Sequence, residues 1–436
     1  MGIKDTAAAF GRRFKLDSHH AIERFGVLVG IFALTGVIVI GGAVASAIHS
    51  DTDALSRTAL YTTSFTTSKT HLKGTVDGVY TNSARDRALV VMHFPASARM
   101  SFNAADYQAF LLGSDANLAS EPVSTRGITG SVHVFGSTGY VGVLLQASEP
   151  FGIQVLNLTI RANAELAYTE PKQSQRDEGK LADDASFREH DQWRIFVNPG
   201  ASGARQIPAL DSARFDPARA YYDVALSNDE QAIRGKLDQK LLSMRANLTQ
   251  IQSYTTELAT TKVDGLFLKP PPVPAGVAGD TVTGVSSAEA KNGVSTLTLD
   301  SRTVVPGGVT LNWRAGNVYA GYLSTLVPPG QSHAEFLAKK HSETTGGTLG
   351  QQISSLPWIL SDGSNLKTDY RTSDVTMRPL VTIMNSLSQA YQDYAKGKSE
   401  YQTELLLDLL RLDAKLRDVQ ANSSLREGTG VLRTLY

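Results

Sequence analysis

The chain has 436 residues, enough for two to four domains at about 100–200 residues each, and 42% of them are hydrophobic, too many for a disordered chain. Lys plus Arg and Asp plus Glu both number 42, which argues against a nucleic-acid binder that works through an overall cationic surface. No cysteine is present, so disulfide scaffolds, thiolate zinc sites, cysteine nucleophiles and CxxC redox motifs are excluded together.

Residues 1–26 form a short basic segment, with Lys4, Arg12, Arg13, Lys15 and Arg24 against Asp5, Asp17 and Glu23. Val27–Ile48, VLVGIFALTGVIVIGGAVASAI, holds no charged residue. At about 1.5 Å per residue it reaches roughly 33 Å, against about 30 Å of bilayer hydrocarbon. Asp51 and Asp53 follow. Length and charge asymmetry together predict a transmembrane signal anchor with a cytoplasmic N-terminus and residues 49–436 extracytoplasmic. The lipid bilayer is then a partner. The alternative is a cleaved signal peptide, since Ala43-Val44-Ala45 and Ala45-Ser46-Ala47 fit a cleavage pattern. The apolar run is longer than the roughly 7–15 residues of a signal core, which favours the anchor. Gly41 with Ala45, and Gly42 with Ser46, have the small-xxx-small spacing of a helix-pairing face.

Residues 49–169 read as an extracytoplasmic β-sandwich. Leu60–Thr67, Leu72–Tyr80, Ala88–Phe94, Ser131–Phe135, Tyr140–Gln146 and Ile153–Arg161 are strand-like, with turns at Asn82–Arg87 and Gly136-Ser137-Thr138-Gly139. In the last of these strands Leu156, Leu158 and Ile160 alternate with Asn157, Thr159 and Arg161, the period of a half-buried strand. Short strands with regular turn signals suggest a sandwich.

The stretches GTVDGVYTNSARDRALVVMHF (74–94) and VFGSTGYVGVLLQ…FGIQVLNLTIRAN (134–163) resemble immunoglobulin-like extracytoplasmic sandwiches of Gram-positive bacteria. More narrowly, they look like membrane-anchored proteins of conjugation, or type IV secretion, gene clusters. The resemblance covers at most a quarter of the chain. It implies a role in an envelope machine and transfers no functional residue. In a bacterial envelope the sequons at Asn157, Asn247 and Asn422 are accidental.

Residues 170–226 read as a polar linker, with one further strand at Gln192–Val197 anchored by Trp193. Ser227-x-x-Glu230 has the form of a capping box and opens a long helix, 227–263. Its stripe, Leu237, Leu241, Met244, Leu248, Ile251, Thr255 and Leu258, alternates steps of four and three like a coiled-coil seam. Residues 264–345 read as a Pro-rich spacer, with Lys269–Ala275 (KPPPVPA), and a second β module in which Val309, Leu311 and Trp313 alternate with polar residues. Ser332-x-x-Glu335 starts a short helix, and 346–373 reads as a loop. A second long helix occupies 374–422, with Pro379 in its first turn. Its seam is Leu380, Met384, Leu387, Tyr391, Tyr394, Lys398, Tyr401 and Leu405, continued after one shifted step by Leu409, Leu412, Leu416 and Val419. Residues 423–436 read as a tail. The two seams fit an antiparallel hairpin within one chain, core helices of a larger domain, or coiled-coil assembly between chains.

The predicted fold is α+β: an N-terminal transmembrane helix, an immunoglobulin-like sandwich, and a second small β module inserted between two long coiled-coil-type helices.

Chemistry-bearing patterns are sparse. His19, His20, His49, His71, His93, His133, His190, His333 and His341 form no HxH or HExxH pattern, and no GxSxG elbow occurs. His93 and His133 lie on apparent strands and read as packed or surface residues. Gly397-Lys398-Ser399 looks like the end of a phosphate loop, but Gln392 stands where the first glycine belongs. Asp183-Asp184 and Asp51-x-Asp53 are carboxylate pairs that read as solvated charge. No catalytic, cofactor-binding or metal-binding residue is assigned. The expected function is a non-enzymatic extracytoplasmic scaffold or assembly subunit, with protein partners and a possible homo-oligomer and no direct nucleic-acid binding. The alternative is a surface binding module that recognises a ligand through the sandwich.

Overall fold

The structure, a computed structural model, describes residues 55–96, 98, 100–113, 125, 127–162, 190–343, 349–370, 375–428 and 430–435. Among the described residues it is α+β, with two large sheets, a two-stranded one and two long helical stretches.

Strand β1 is Ser64–Thr66, β2 Lys73–Thr81, β3 Arg87–His93, β4 Tyr107–Gly113, β5 Thr129–Val134, β6 Tyr140–Gln146, β7 Leu156–Ala162, β8 Asp191–Val197 and β9 Arg205–Gln206. An antiparallel pair follows, β10 Thr281–Thr283 with β11 Thr298–Asp300, and then two separate strands near the C-terminus, β12 Ser424–Arg426 and β13 Leu432–Leu435. One sheet has the order β1-β2-β3-β6-β5-β12, with β9 parallel to β2; the other has the order β13-β4-β7-β8. Within them, β2-β3-β6-β5 opposite β4-β7-β8 is the strand order of a constant-type immunoglobulin sandwich. Val90, Met92, Val141 and Val143 from one sheet meet Leu111, Leu158, Ile160 and Ile195 from the other in a shared core. Trp193 sits in that core, stacked on Phe65 at 5.5 Å and edge-on to Phe94 at 5.2 Å.

The larger sheet is buried on both faces. Leu89, Val91, Phe135 and Leu144 point away from the sandwich core into a second core built mainly from helices. This double burial explains why Ala88–Met92 is an unbroken apolar run, whereas β7, with one face in the core, alternates. The molecule is therefore layered as small sheet, large sheet and helices.

The first long helical stretch comprises α1 (Pro217–Tyr221), a π-helical turn at Tyr222–Leu226, and α2 (Ser227–Thr260). The second comprises α6 (Arg378–Ser399), a π-helical turn at Glu400–Leu405, and α7 (Leu406–Asn422). Between them lie the β10–β11 hairpin and three short helices, α3 (Leu323–Leu326), α4 (His333–Glu343) and α5 (Leu349–Ser354). Helices α2 and α6 pack antiparallel: Lys240 pairs with Glu400, Met244 lies on Gly397, and Thr255 lies at Tyr391. A Cβ on Gly397 would stand 3.2 Å from the Met244 side chain, so the two helices cross closely there. Leu237, Leu241, Met244 and Leu258 from one seam and Leu380, Leu387, Tyr391 and Tyr394 from the other are buried in the same core.

Several features differ from the architecture expected from sequence. Among the described residues no helix is long and apolar enough to cross a membrane, so a transmembrane helix is not part of the described fold; Val27–Ile48 lies outside the described residues. Among the described residues the β insert between the long helices has only the three-residue strands β10 and β11, and most of the rest of its described chain is irregular. Val309 and Trp313 are buried and Thr310 and Asn312 exposed, but the Val309 N–H donates to the Gln402 carbonyl rather than to a neighbouring strand. The alternation comes from extended chain lying on a helix. The long helices are also not uniform coiled-coil rods. The shifted step after Leu405 falls where the π turn adds a residue, and the seam then passes onto α7.

The first helix starts earlier than its Ser-x-x-Glu pattern suggests. The Asp216 side chain accepts from the Ala218 N–H, and Pro217 occupies the first turn. Ser227 donates instead to the Asp223 carbonyl, and Glu230 is buried, bonded to Tyr222, Arg234 and the Val318 N–H. Residues 423–436, expected as a tail, bring β12 antiparallel onto β5 and β13 parallel onto β4. The chain that leaves α7 therefore ends as an edge strand in each sheet of the sandwich.

Candidate functional site

A cleft of about 560 Å³ opens where the sandwich meets the helices. His93 at the end of β3, Ser137 and Thr138 of the β5–β6 turn, and Tyr140 at the start of β6 form its sandwich wall. Tyr221 and Asp229 from the first helical stretch, with Lys415 and Asp418 from α7, form the other. The π turn at Tyr222–Leu226 runs along this second wall through Ala225 and Leu226.

The turn Gly136-Ser137-Thr138-Gly139 is shaped for this junction. Both glycines have positive φ, +55° and +84°. A Cβ at Gly136 would come within 2.6 Å of the Asp418 carboxylate, and one at Gly139 within 2.7 Å of the Phe94 carbonyl. Only glycine combines that backbone with that clearance. The space lets Asp418 accept from the Ser137 N–H at 2.7 Å and from its hydroxyl at 2.8 Å, tying α7 to the sandwich. Asn422 donates to the other Asp418 oxygen.

Aromatic rings line the cleft in a connected series. His93 stacks on Tyr140 with centroids 4.3 Å apart, and Tyr140 meets Tyr221 edge to face at 5.3 Å. Burial pushes the Tyr221 hydroxyl up to about 12; Thr138 opposes this, and the Asp418 and Asp229 charges add to it. Burial raises Tyr140 as well, with the Asp77 carboxylate as the next cause. Both phenols are neutral at physiological pH and can donate. Asp229 and Lys415 are exposed, and neither makes an ion pair or a side-chain hydrogen bond among the described residues. The cleft thus offers an aromatic surface, hydroxyls, and one uncommitted group of each charge.

A second polar cluster is closed. Lys398 and Asp280 are each 0% exposed in their side chains. The Lys398 ammonium donates to Asp280 at 2.6 Å, the Gly276 carbonyl at 2.7 Å and the Thr303 hydroxyl at 2.9 Å, which uses all three of its hydrogens. Tyr394 and Ser301 donate to the two Asp280 oxygens at 2.7 and 2.6 Å. Burial lowers the Lys398 pKa, opposed by Asp280. Gly397-Lys398-Ser399 is therefore helix interior, and its lysine fastens the insert to α6. Asp413, also fully buried, accepts from the Tyr322 and Leu323 N–H groups that open α3.

The other residues weighed from sequence are dispersed. His133 is 1% exposed beneath Phe215, its Nε2 bonded to Ser131. Asp51, Asp53, Asp183, Asp184, His19, His20 and His49 lie outside the described residues. Among the described residues no three His, Asp or Glu side chains gather as metal ligands. The cleft itself carries no sequence motif, because its walls come from positions some hundreds of residues apart; the Gly-Ser-Thr-Gly turn was its one local signal. No family model matches the chain, and no curated protein or solved structure matches it either.

Proposed function

We propose that the protein is a non-enzymatic scaffold or assembly subunit of a bacterial envelope complex. One observation carries the reading: after α7 the chain returns to the sandwich and adds a strand to each sheet. Two chain connections, the one into α1 and the one from α7 into β12 and β13, thereby tie the sandwich to the same end of the helical body. A rigid body with a helix pair roughly 50 Å long suits a part that holds others at a fixed spacing. The seam residues are occupied within the chain, so self-association would use other faces.

The outer side of the cell membrane is the location proposed, on the charge pattern and apolar run of residues 1–53. The resemblance of 74–94 and 134–163 to conjugation-encoded proteins makes a conjugation or secretion complex the first assembly to examine. Crosslinking and co-purification from native membranes test the proposal. Recovery of a defined multiprotein assembly is expected; a chain that always migrates alone as a monomer contradicts it.

A second reading is a binding module, favoured by the uncommitted Asp229 and Lys415 on an aromatic cleft. The two are compatible, since a scaffold can also hold a ligand at the joint between its parts.

A further inference from the structure

We propose that the junction cleft is a binding site for a neutral saccharide. This rests on the binding-module reading and names its ligand class. A cavity between two packed bodies is a common place for a ligand, and about 560 Å³ holds a short oligosaccharide.

The lining selects among ligand classes by its chemistry. Sugar rings present flat C–H faces that pack on aromatic rings, and His93, Tyr140 and Tyr221 supply a connected aromatic wall. Sugar hydroxyls both donate and accept. A carboxylate takes two donors from a vicinal diol and an ammonium supplies donors to its oxygens, so Asp229 and Lys415 together match a polyol. Asp418, already bonded to Ser137 and Asn422, is structural and would shape the rim.

The same groups disfavour the alternatives. A phosphate or other strong anion would meet Asp229 and Asp418 against a single lysine. An apolar peptide would strip water from two unpaired charges without replacing their hydrogen bonds. A neutral polyol satisfies both charges without repulsion.

The test is titration of the full detergent-solubilised chain with chitotetraose, cellotetraose and maltotetraose, followed by calorimetry and by saturation-transfer NMR. At least one is expected to bind, with affinity lowered about tenfold or more in Asp229→Asn and in Lys415→Ala. Both positions are exposed, so the variants should keep the parent melting temperature. Lys396→Ala, on an exposed site 78% accessible, should bind as the parent does. Absence of binding by all three sugars at 10 mM ligand, about the weak limit of useful affinity, overturns the proposal. So does binding that Asp229→Asn and Lys415→Ala leave unchanged. Photocrosslinkers at Ser137 and Asp229 separate this from the wider reading: capture of a protein there, with no sugar binding, keeps the binding module and rejects the saccharide.

Discussion

Removing one partner of the Lys398–Asp280 pair should destabilise the protein far more than removing both. Each side chain is 0% exposed, and the ammonium is held by three acceptors. Lys398→Met leaves the Asp280 carboxylate buried with only the Tyr394 and Ser301 hydroxyls; Asp280→Asn leaves the ammonium facing a neutral amide. Breaking a buried pair from one side costs about 3–5 kcal/mol. In the double variant no charge remains buried, and the amide oxygen introduced by Asp280→Asn would still accept from Tyr394 or Ser301, so the loss should fall to about 1–2 kcal/mol. The coupling between the two changes is then several kcal/mol. Urea unfolding followed by tryptophan fluorescence measures it, since Trp313 and Trp358 belong to the helical core and Trp193 to the sandwich core. Single losses that add to within about 0.5 kcal/mol would show that the two groups are not paired and refute the reasoning.

Other perturbations follow from the same structure. Gly136→Ala places a Cβ 2.6 Å from Asp418 at φ +55° and should cost about 1–3 kcal/mol, whereas Gly152→Ala, with open space around it, should be nearly neutral in thermal melts. Leu387→Ala, at a fully buried seam position, should cost about 2–5 kcal/mol, and Leu248→Ala, half-buried, distinctly less; equal melting shifts would contradict the packing. His133 is buried neutral, its pKa pushed by burial from 6.5 down to about 4. The unfolded chain binds that proton first as pH falls, so the contribution is full above about 6.5 and is lost towards pH 4, by at most about 3 kcal/mol. His133→Gln should flatten this part of the stability profile, and an unchanged slope between pH 6.5 and 4 would rule His133 out as its source.

What the sequence revealed depended on how local the cause was. The β7 alternation of Leu156, Leu158 and Ile160 requires one buried face, and the strand carries that record by itself. The shifted step after Leu405 was visible as a break in spacing, and it marks the π turn at Glu400–Leu405. The Ser227 pattern misled because the same residue types serve inside a helix, where Ser227 bonds the preceding turn and Glu230 bonds Val318 across 88 residues. Asp216-Pro217, a side-chain cap followed by a first-turn proline, was the truer signal. Val309–Trp313 alternated because the second long helical stretch lies beneath it, and alternation alone cannot distinguish a helix surface from a strand partner. Residues 424–426 and 432–435 are too short to show a period, and their partners lie some 300 residues earlier. Tyr140, Asp229 and Lys415 were unreadable as a group for the same reason: only the folded joint brings them together.

Whether the sandwich and the helical body move as one rigid unit can be measured directly, because no native cysteine is present. Spin labels placed through Phe102→Cys on the sandwich and Lys396→Cys on the helix, both at exposed positions, report the distance between the two bodies by pulsed electron paramagnetic resonance. A single narrow distance distribution is expected from one rigid unit. A broad or multi-peaked distribution from well-folded protein would show that the two parts hinge, and would contradict it.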